Sequence, residues 1–518
     1  MRKAPFKNEK LIDFSKSTNR KKMEQALAMV RGQLGKEYPS LIGSQELFLK
    51  QKFASYNPAD KDQVVGLFQK SEENHADMAV KVAAETFGSW SLVEPAKRAG
   101  YLFKGAQVMR RRRLELAAWM VYEVGKSWVE ADGDVAEAID FMEFYGREML
   151  RYAGPQPLTK LYGERNELKY IPLGVGIVIP PWNFPLAILV GMTTAAIVCG
   201  NTVVLKPSSD SPTIAAKFVE IMKEVKLPRG VLNFLPGSGG VVGNALVGHP
   251  KTRFIAFTGS KEVGLGINVL AAQTQPGQIW IKRVIAEMGG KDAIVVDSGV
   301  NLDDAAEGVC ASAFGFQGQK CSACSRAIVV KGAYQKFIEK LIPKVRAITV
   351  GPTENYENTV GPVINKAAMS TIMEYIEIGK NEGKLILGGT AAPGNGYFVR
   401  PTIFKDVHPK ARISQEEIFG PVLAITKAND FDDAIAIAND TEYGLTGAVY
   451  TKSRNRIEKA KKLFHVGNLY FNRKCTAALV GVHPFGGFNM SGTDSKAGGR
   501  DYLMLFTQAK TISEKVRK

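Results

Sequence analysis

The sequence predicts an α/β architecture built on doubly wound parallel sheets, and three observations carry that prediction. From Gly174 onward, short β-branched runs recur with helical stretches between them. The same rhythm restarts after Glu287-Met-Gly-Gly-Lys291, which predicts a second α/β unit joined to the first near Gly289. A chain of 518 residues also exceeds what one hydrophobic core holds, so two or three domains are expected.

Residues 1 to about 50 read as polar and helical, with apolar positions at Met23, Ala26, Leu27, Val30 and Leu34, lying across the outside of a larger body. Ser55-Tyr-Asn-Pro58 reads as a turn. Helical periodicity dominates from Ser71 to Tyr152, including Ala136-Glu-Ala-Ile-Asp-Phe-Met-Glu-Phe-Tyr145, until Pro155 and Pro157 break it. Leu158 to Tyr170 reads as a short polar excursion of hairpin type. Strands are expected at Gly174–Ile179, Thr202–Lys206, Val231–Leu235, Phe254–Phe257 and Arg283–Glu287, with helices beginning near Pro185, Ser211, Gly239 and Ser260. The second unit is expected to hold strands at Ala293–Asp297, Ala327–Val330, Thr402–Phe404, Val422–Ile425 and Ala448–Tyr450. Its helices are expected near Leu302–Ala313, Tyr334–Val345 and Lys366–Gly379.

A 45% hydrophobic and 23% charged composition is that of a soluble globular protein. The first ten residues lack the apolar core of a secretory signal. The apolar run from Gly174 to Cys199 is interrupted by Pro180, Pro181, Asn183 and Pro185, so a buried strand, loop and helix is expected rather than a membrane span. Five cysteines in so long a chain form no disulfide framework, which fits a reducing cytoplasm. Five scattered histidines lack zinc spacing, and no metal is expected. The net charge of +17 is compatible with anionic partners, but the basic residues are dispersed and no nucleic-acid motif appears. The cluster Arg110–Arg113 falls in an amphipathic pattern and reads as a solvated helix face.

The chemistry concentrates around Phe314-Gly-Phe-Gln-Gly-Gln-Lys-Cys-Ser-Ala-Cys-Ser-Arg326. Cys321 lies on a glycine-flanked loop just before a strand, an economical way to present a thiol nucleophile, although many cysteines are simply small buried hydrophobes. Glu287 closes a strand ahead of two glycines, and Asn183 sits in the rigid loop Pro180-Pro-Trp-Asn-Phe-Pro185. Thiol, carboxylate and carboxamide at three strand ends supply a nucleophile, a general base and an oxyanion donor if they converge on one cleft. No strict G-x-G-x-x-G follows a strand; Gly237-Ser-Gly-Gly-Val-Val-Gly243 is one residue too long. Gly259 and Ser260 stand where a helix begins, so backbone N–H groups there can meet a pyrophosphate, and Lys206 at a strand end can reach ribose hydroxyls. Ordinary strand–helix turns are the competing reading of both features.

Five ordered blocks, Pro181-Trp-Asn-Phe-Pro185, Phe257-Thr-Gly-Ser260, Glu287-Met-Gly-Gly-Lys291, Gly318-Gln-Lys-Cys321 and Glu417-Ile-Phe-Gly-Pro-Val422, resemble the signatures of the aldehyde dehydrogenase superfamily from about residue 50 to the C-terminus. The resemblance implies a Rossmann-type NAD-binding domain over residues 1–153 and 174–288 and a second α/β catalytic domain over 289–480. It also implies a small β oligomerisation flap from 154–173 and 481–518, and so a homodimer or higher homo-oligomer; Leu158 to Tyr170 and the tail with Tyr502-Leu-Met-Leu-Phe506 are expected to expose apolar surface on a monomer. It implies that Cys321 attacks an aldehyde, that Asn183 and the Cys321 N–H hold the oxyanion, and that Glu287 activates water. Trp182, Lys206, Ser209, Gly243, Gly259, Ser260, Glu417 and Phe419 match cofactor-contacting positions, whereas Cys324 is expected to pack behind the site.

Within the superfamily, Tyr470-Phe-Asn-Arg-Lys-Cys-Thr-Ala-Ala-Leu-Val-Gly481 and Ser491-Gly-Thr-Asp-Ser-Lys-Ala-Gly-Gly499 resemble the branch that oxidises L-glutamate γ-semialdehyde to glutamate. The resemblance implies that Ser322 and the N–H groups of Ala477 and Ala478 bind the substrate carboxylate. Phe184 and Phe485 would sandwich its methylene stem. A capping role is the plainer reading of Ser322. Ala477 stands where that branch usually has glycine, and Arg500 where it has proline. Ser209 replaces a glutamate, which removes a repulsion against a 2′-phosphate and implies that NADP is tolerated beside a preferred NAD. Other readings are a dehydrogenase for succinate or methylmalonate semialdehyde, or a basic nucleic-acid-binding protein on the same scaffold.

Overall fold

The β-branched runs form strands because burial on both faces suits them. In the computed structural model, which describes residues 5–516, one seven-stranded sheet has the order Arg283–Glu287, Thr252–Thr258, Val175–Ile179, Thr202–Leu205, Leu232–Phe234, Ser40–Ile42, Gln45–Leu47. Its first five strands run parallel. The last two join antiparallel. Strand order reverses between Val175–Ile179 and Thr252–Thr258, which opens a crevice at their carboxyl ends. The helix Ala187–Val198, apolar on every side, is buried over almost its whole length.

A second seven-stranded sheet has the order Lys384–Leu387, Thr402–Lys405, Val422–Ala428, Cys324–Val330, Asp292–Val296, Thr446–Tyr450, Asn468–Phe471. Only its first pairing is antiparallel. The strand after the Cys321 loop starts at Cys324, three residues before the β-branched run.

Four local expectations are corrected. The N-terminal region is helical only over Ser17–Arg31, where Met23, Ala26, Leu27 and Val30 are buried; Lys36–Tyr38, Ser40–Ile42 and Gln45–Leu47 are strands, two of them part of the first sheet. Ser55 to Asn57 is extended, and the hairpin turns two residues later than expected, where Asn57 faces Asp60. Glu164–Pro172 is no local hairpin: it pairs antiparallel with Thr507–Lys515, a partner no local pattern could reveal. Tyr502, Leu503 and Phe506 do not expose an apolar face, because all three are buried in the chain's own core and only Met504 is exposed.

The arginine cluster is more than a solvated face. Arg110 pairs with Glu9 and Glu143, Arg111 with Glu224, Arg112 with Glu115 and Glu220, and Arg113 with Asp132. The four side chains thereby tie the junction of the helices Pro95–Arg111 and Arg113–Val124 to the N-terminal segment and to the helices Trp128–Tyr152 and Pro212–Glu224. Among the described residues, no helix is long and apolar enough to cross a membrane.

Candidate active site

Cys321 is placed by a loop whose backbone the surrounding structure holds in an uncommon shape. After the helix Leu302–Phe314, Phe316 and Gln317 take left-handed φ values of 48° and 57°. Such non-glycine conformations persist only where neighbours over-determine them. Here the Gln317 side-chain amide donates to the carbonyls of Gly125 at 3.0 Å and Pro362 at 2.8 Å, while Gln319 Oε1 accepts from the Ile364 N–H at 2.9 Å. Gly318 has φ 67°, and a Cβ there would sit 2.3 Å from the Gly420 carbonyl oxygen, so no side chain fits. Lys320, next to the nucleophile candidate, is paired with Glu130 at 2.6 Å.

Burial, followed by the nearby Asp292, Glu417 and Glu287 carboxylates, pushes the Cys321 thiol up, and a hydrogen bond from the Ser322 N–H opposes the shift. This environment favours the thiol over the thiolate. Cys324 is buried behind the loop, in hydrogen-bonding reach of Cys475, and acts as packing.

Asn183 follows the strand Val175–Ile179 and is buried. Its Nδ2 donates to the Gln319 carbonyl at 3.1 Å, and its Oδ1 accepts from the Phe184 N–H at 3.1 Å. These bonds fix the carboxamide against the Cys321 loop and use one of its two N–H donors.

Glu287 is the last residue of its strand, and the segment after Pro484 folds over it. Its Oε2 accepts from the Gly487 N–H at 3.0 Å and its Oε1 from the Ser495 hydroxyl. Burial pushes its carboxyl up to about 8, against the lowering effects of Ser495, Gly487 and Lys496. A carboxyl held near neutrality suits a general base.

Asn183 follows one strand of the first sheet and Glu287 ends another, whereas Cys321 and Glu417 precede strands of the second. The site thus forms where the carboxyl ends of one sheet meet the amino ends of the other. A cavity of about 110 Å³ lies there, lined by Cys321, Glu287, Ser322, Ala477, Ala478, Phe184 and Phe485. Ala477 has φ 64°, the left-handed region that favours the usual glycine. The Arg473 guanidinium donates to the carbonyls of Thr476 at 2.8 Å and Ala477 at 3.2 Å, which holds this loop from the side.

Two features escaped sequence reasoning. Glu137, from the helix Trp128–Tyr152, also lines the cavity, and burial with Asp134 beside it pushes its carboxyl up to about 8. It shares a helix face with Phe141 and Tyr145 at four-residue steps, so a lone acid on an apolar stripe was the available signal. The second is the Ser495–Gly487 seat of Glu287, which joins residues far apart in the chain and left no local signal.

The remaining candidates surround the crevice of the first sheet. Lys206 is buried, its Nζ donates to the Pro207 carbonyl at 3.1 Å, and burial brings it down to about 8. Ser260 caps the helix Lys261–Ala272, accepting from the Val263 N–H at 3.4 Å. A Cβ at Gly259 would lie 2.5 Å from the Phe257 ring. Gly243 ends a π-helical turn from Gly239, and a Cβ there would meet Lys206 at an ordinary 3.8 Å, so no steric need for glycine exists. Ser209 is exposed.

Across the crevice, Glu417 Oε1 accepts from the Gly290 N–H at 3.0 Å, and its carboxyl is pushed up to about 7 by burial. Phe419 meets Trp182 edge-on at 5.5 Å between ring centroids. The donor set fits a dinucleotide. The buried Lys206 ammonium has donors beyond its single carbonyl bond, a helix N-terminus faces the crevice, and Glu417 offers an acceptor for ribose hydroxyls.

Residues 47–512 match the model of the aldehyde dehydrogenase family. A 1-pyrroline-5-carboxylate dehydrogenase of Geobacillus sp. (strain WCH70) is 56% identical over 510 residues, covering 98% of this chain and 99% of its own. The 1-pyrroline-5-carboxylate dehydrogenase 2 of Bacillus subtilis (strain 168) is 54% identical with the same coverage. Among solved structures, a 1-pyrroline-5-carboxylate dehydrogenase from Thermus with bound NAD superposes with TM-score 0.98 at 50% identity, over 100% of both chains. Lactaldehyde dehydrogenase from Escherichia coli follows at TM-score 0.88 and 32% identity, over 93% of this chain and 100% of its own. The chain belongs to the aldehyde dehydrogenase family and has its fold.

Proposed function

We propose that this protein oxidises L-glutamate γ-semialdehyde, the open-chain form of 1-pyrroline-5-carboxylate, to L-glutamate, with NAD as cofactor. The observation that carries the proposal is the single cavity that has Cys321 and Glu287 beside Ser322, Ala477 and Ala478. Full-length similarity to the Geobacillus and Bacillus enzymes and to the NAD-bound Thermus structure supports it.

The Cys321 sulfur, once deprotonated, bonds to the aldehyde carbon. The free N–H of Asn183 and the Cys321 backbone N–H stabilise the resulting oxyanion. NAD, when bound, supplies the acceptor for the hydride that leaves this carbon. A thioester on Cys321 remains. Glu287 then takes a proton from water, the water oxygen bonds to the thioester carbon, and the carbon–sulfur bond breaks to return the thiolate.

In this reading Ser322 Oγ and the N–H groups of Ala477 and Ala478 receive the α-carboxylate, and Phe184 and Phe485 flank the stem. Glu137 faces the α-ammonium, whose charge would favour the ionised carboxylate that burial otherwise opposes. Trp182, Lys206, Ser209, Gly243, Gly259, Ser260, Glu417 and Phe419 hold the cofactor. Residues 1–153 and 174–288 then act as the cofactor domain and 289–480 as the catalytic domain. The enzyme works in the cytoplasm, with no nucleic-acid or membrane partner.

A homo-oligomer completes the proposal. Val263, Val269, Ile279 and Ile281 expose apolar side chains on and after the helix Lys261–Ala272, as does Tyr162 beside the Glu164–Pro172 ribbon. Light scattering should give a dimer or a multiple of one; a monomer at micromolar concentration overturns this part.

Steady-state NADH formation from glutamate semialdehyde tests the function, with Cys321→Ala abolishing turnover and succinate semialdehyde a poor substrate. Equal efficiency on both aldehydes, or an active Cys321→Ala variant, refutes the reading.

A further inference from the structure

Beyond the residues that touch substrate, one buried hydroxyl acts on the general base. Ser495 is 2% exposed and donates its hydroxyl hydrogen to Glu287 Oε1. Gly487 N–H donates to the other oxygen at 3.0 Å, so both carboxylate oxygens are seated on one segment. That segment is itself fastened to the Glu287 strand: Met288 N–H donates to the Ser491 carbonyl at 2.8 Å, and Thr493 N–H to the Ala286 carbonyl at 2.9 Å. Glycines leave the space that the carboxylate occupies. A Cβ on Gly486 would lie 3.1 Å from Glu287 Oε1, and one on Gly492 would lie 2.9 Å from it.

We propose that Ser495 is a positioning residue for the established class of reaction, its hydroxyl holding the Glu287 carboxylate ionised and aimed so that it can take the proton from the deacylating water. The proposal rests on the reading of Glu287 as the general base. Two donors on a buried carboxylate favour its charged form, and a hydroxyl is the one of the two that a side-chain change can remove. The titratable groups facing Glu287 are Lys496 and Asp494 from the same segment, Cys321 from the nucleophile loop and Tyr502 from the turn Tyr502–Phe506. Lys496 is engaged elsewhere, donating to the carbonyls of Gly467 at 2.8 Å and Gly486 at 2.6 Å. It lends Glu287 its field and no hydrogen bond among those described, which leaves Ser495 as the side chain that fixes the carboxylate's direction.

The step balances without any added oxidant or cofactor. Water gives a proton to Glu287 and its oxygen to the acyl carbon, while the carbon–sulfur electron pair returns to Cys321. It can therefore be isolated. Cys321 is acetylated with p-nitrophenyl acetate, excess reagent is removed, and loss of the acetyl group is followed by intact mass across a pH series. Full-length wild type, Ser495→Ala, Ser495→Thr and Glu287→Gln are compared, each checked for native circular dichroism.

Ser495→Ala should acetylate to the wild-type extent yet deacetylate about tenfold more slowly near neutrality, with the limb of its pH profile moved up by about one unit. Ser495→Thr, which keeps the hydroxyl, should return the limb towards wild type. An unmoved limb in Ser495→Ala, with Glu287→Gln unable to deacetylate, overturns the role of Ser495 alone. Normal deacetylation by Glu287→Gln overturns the reading on which it rests. If Ser495→Ala is slowed equally at every pH and Ser495→Thr with it, the hydroxyl is structural and the proposal fails.

Discussion

Gly289→Ala separates cofactor grip from chemistry. A Cβ at Gly289 would lie 2.0 Å from Oε2 and 2.5 Å from Cδ of Glu417. Its backbone is not left-handed, so alanine can adopt it and the clash itself is the perturbation. Both contacts are far inside van der Waals distance, so the Glu417 side chain must leave its place and its 3.0 Å bond from the Gly290 N–H. A hydrogen bond to a charged group contributes about 1.5–3 kcal/mol, which is roughly a 10- to 100-fold change in whatever that carboxylate binds.

If Glu417 holds the ribose next to the nicotinamide, the KM for NAD should rise by that factor. Hydrolysis of p-nitrophenyl acetate at Cys321, which needs no cofactor, should stay near wild type. Steady-state kinetics in both assays decide the matter. An unchanged KM for NAD, with the substitution verified and the ester still hydrolysed, refutes the assignment of Glu417 and the steric argument with it.

Three further outcomes are expected. Replacing Ala477 with glycine removes a left-handed strain of about 1–2 kcal/mol but adds about 0.4–1 kcal/mol of unfolded-state entropy, so chemical denaturation should show a gain of up to about 1.6 kcal/mol. The same change should lower the KM for the semialdehyde, and a destabilised variant would contradict the φ of 64°. Because burial lifts the Glu287 carboxyl to about 8, its basic form is present above that pH and lost below it. Thioester hydrolysis should therefore climb through pH 8, and a limb near the ordinary carboxylate value of 4.5 would rule Glu287 out. Ser209 carries no charge to repel a 2′-phosphate, so NADP should support turnover at a lower kcat/KM than NAD; no detectable NADP turnover would sink that idea.

The proposed reacting groups could be picked out in the sequence because each is tied to backbone its neighbours in sequence dictate. Asn183 sits among prolines that stiffen its loop, Glu287 ends a β-branched strand, and Cys321 follows glycines that a crowded approach requires. The structure explains the glycines themselves: a Cβ at Gly290 would lie 2.5 Å from the Cys321 carbonyl, just as one at Gly318 would strike Gly420. Glu137 was hidden inside an ordinary helical pattern, since periodicity reports which face is apolar and not what cavity that face borders. The Arg110–Arg113 cluster misled for the same reason: apart from Glu115, its ion-pair partners lie on other elements, up to more than a hundred positions away in the chain.

From the sequence alone came the alternating α/β order, the two sheets' parallel strands and the identity of thiol, carboxylate and carboxamide, all consequences of side-chain pattern and turn chemistry over short stretches. Tertiary structure alone decided the pairing of Glu164–Pro172 with Thr507–Lys515, the burial of Tyr502, Leu503 and Phe506, and the capture of Glu287 by Ser495. Those contacts join segments separated by hundreds of residues, and the energy that selects them exists only once both surfaces are built. The left-handed turn at Ala477 belongs with them, because the residue type there argues for an ordinary backbone and the loop it must close overrides that preference.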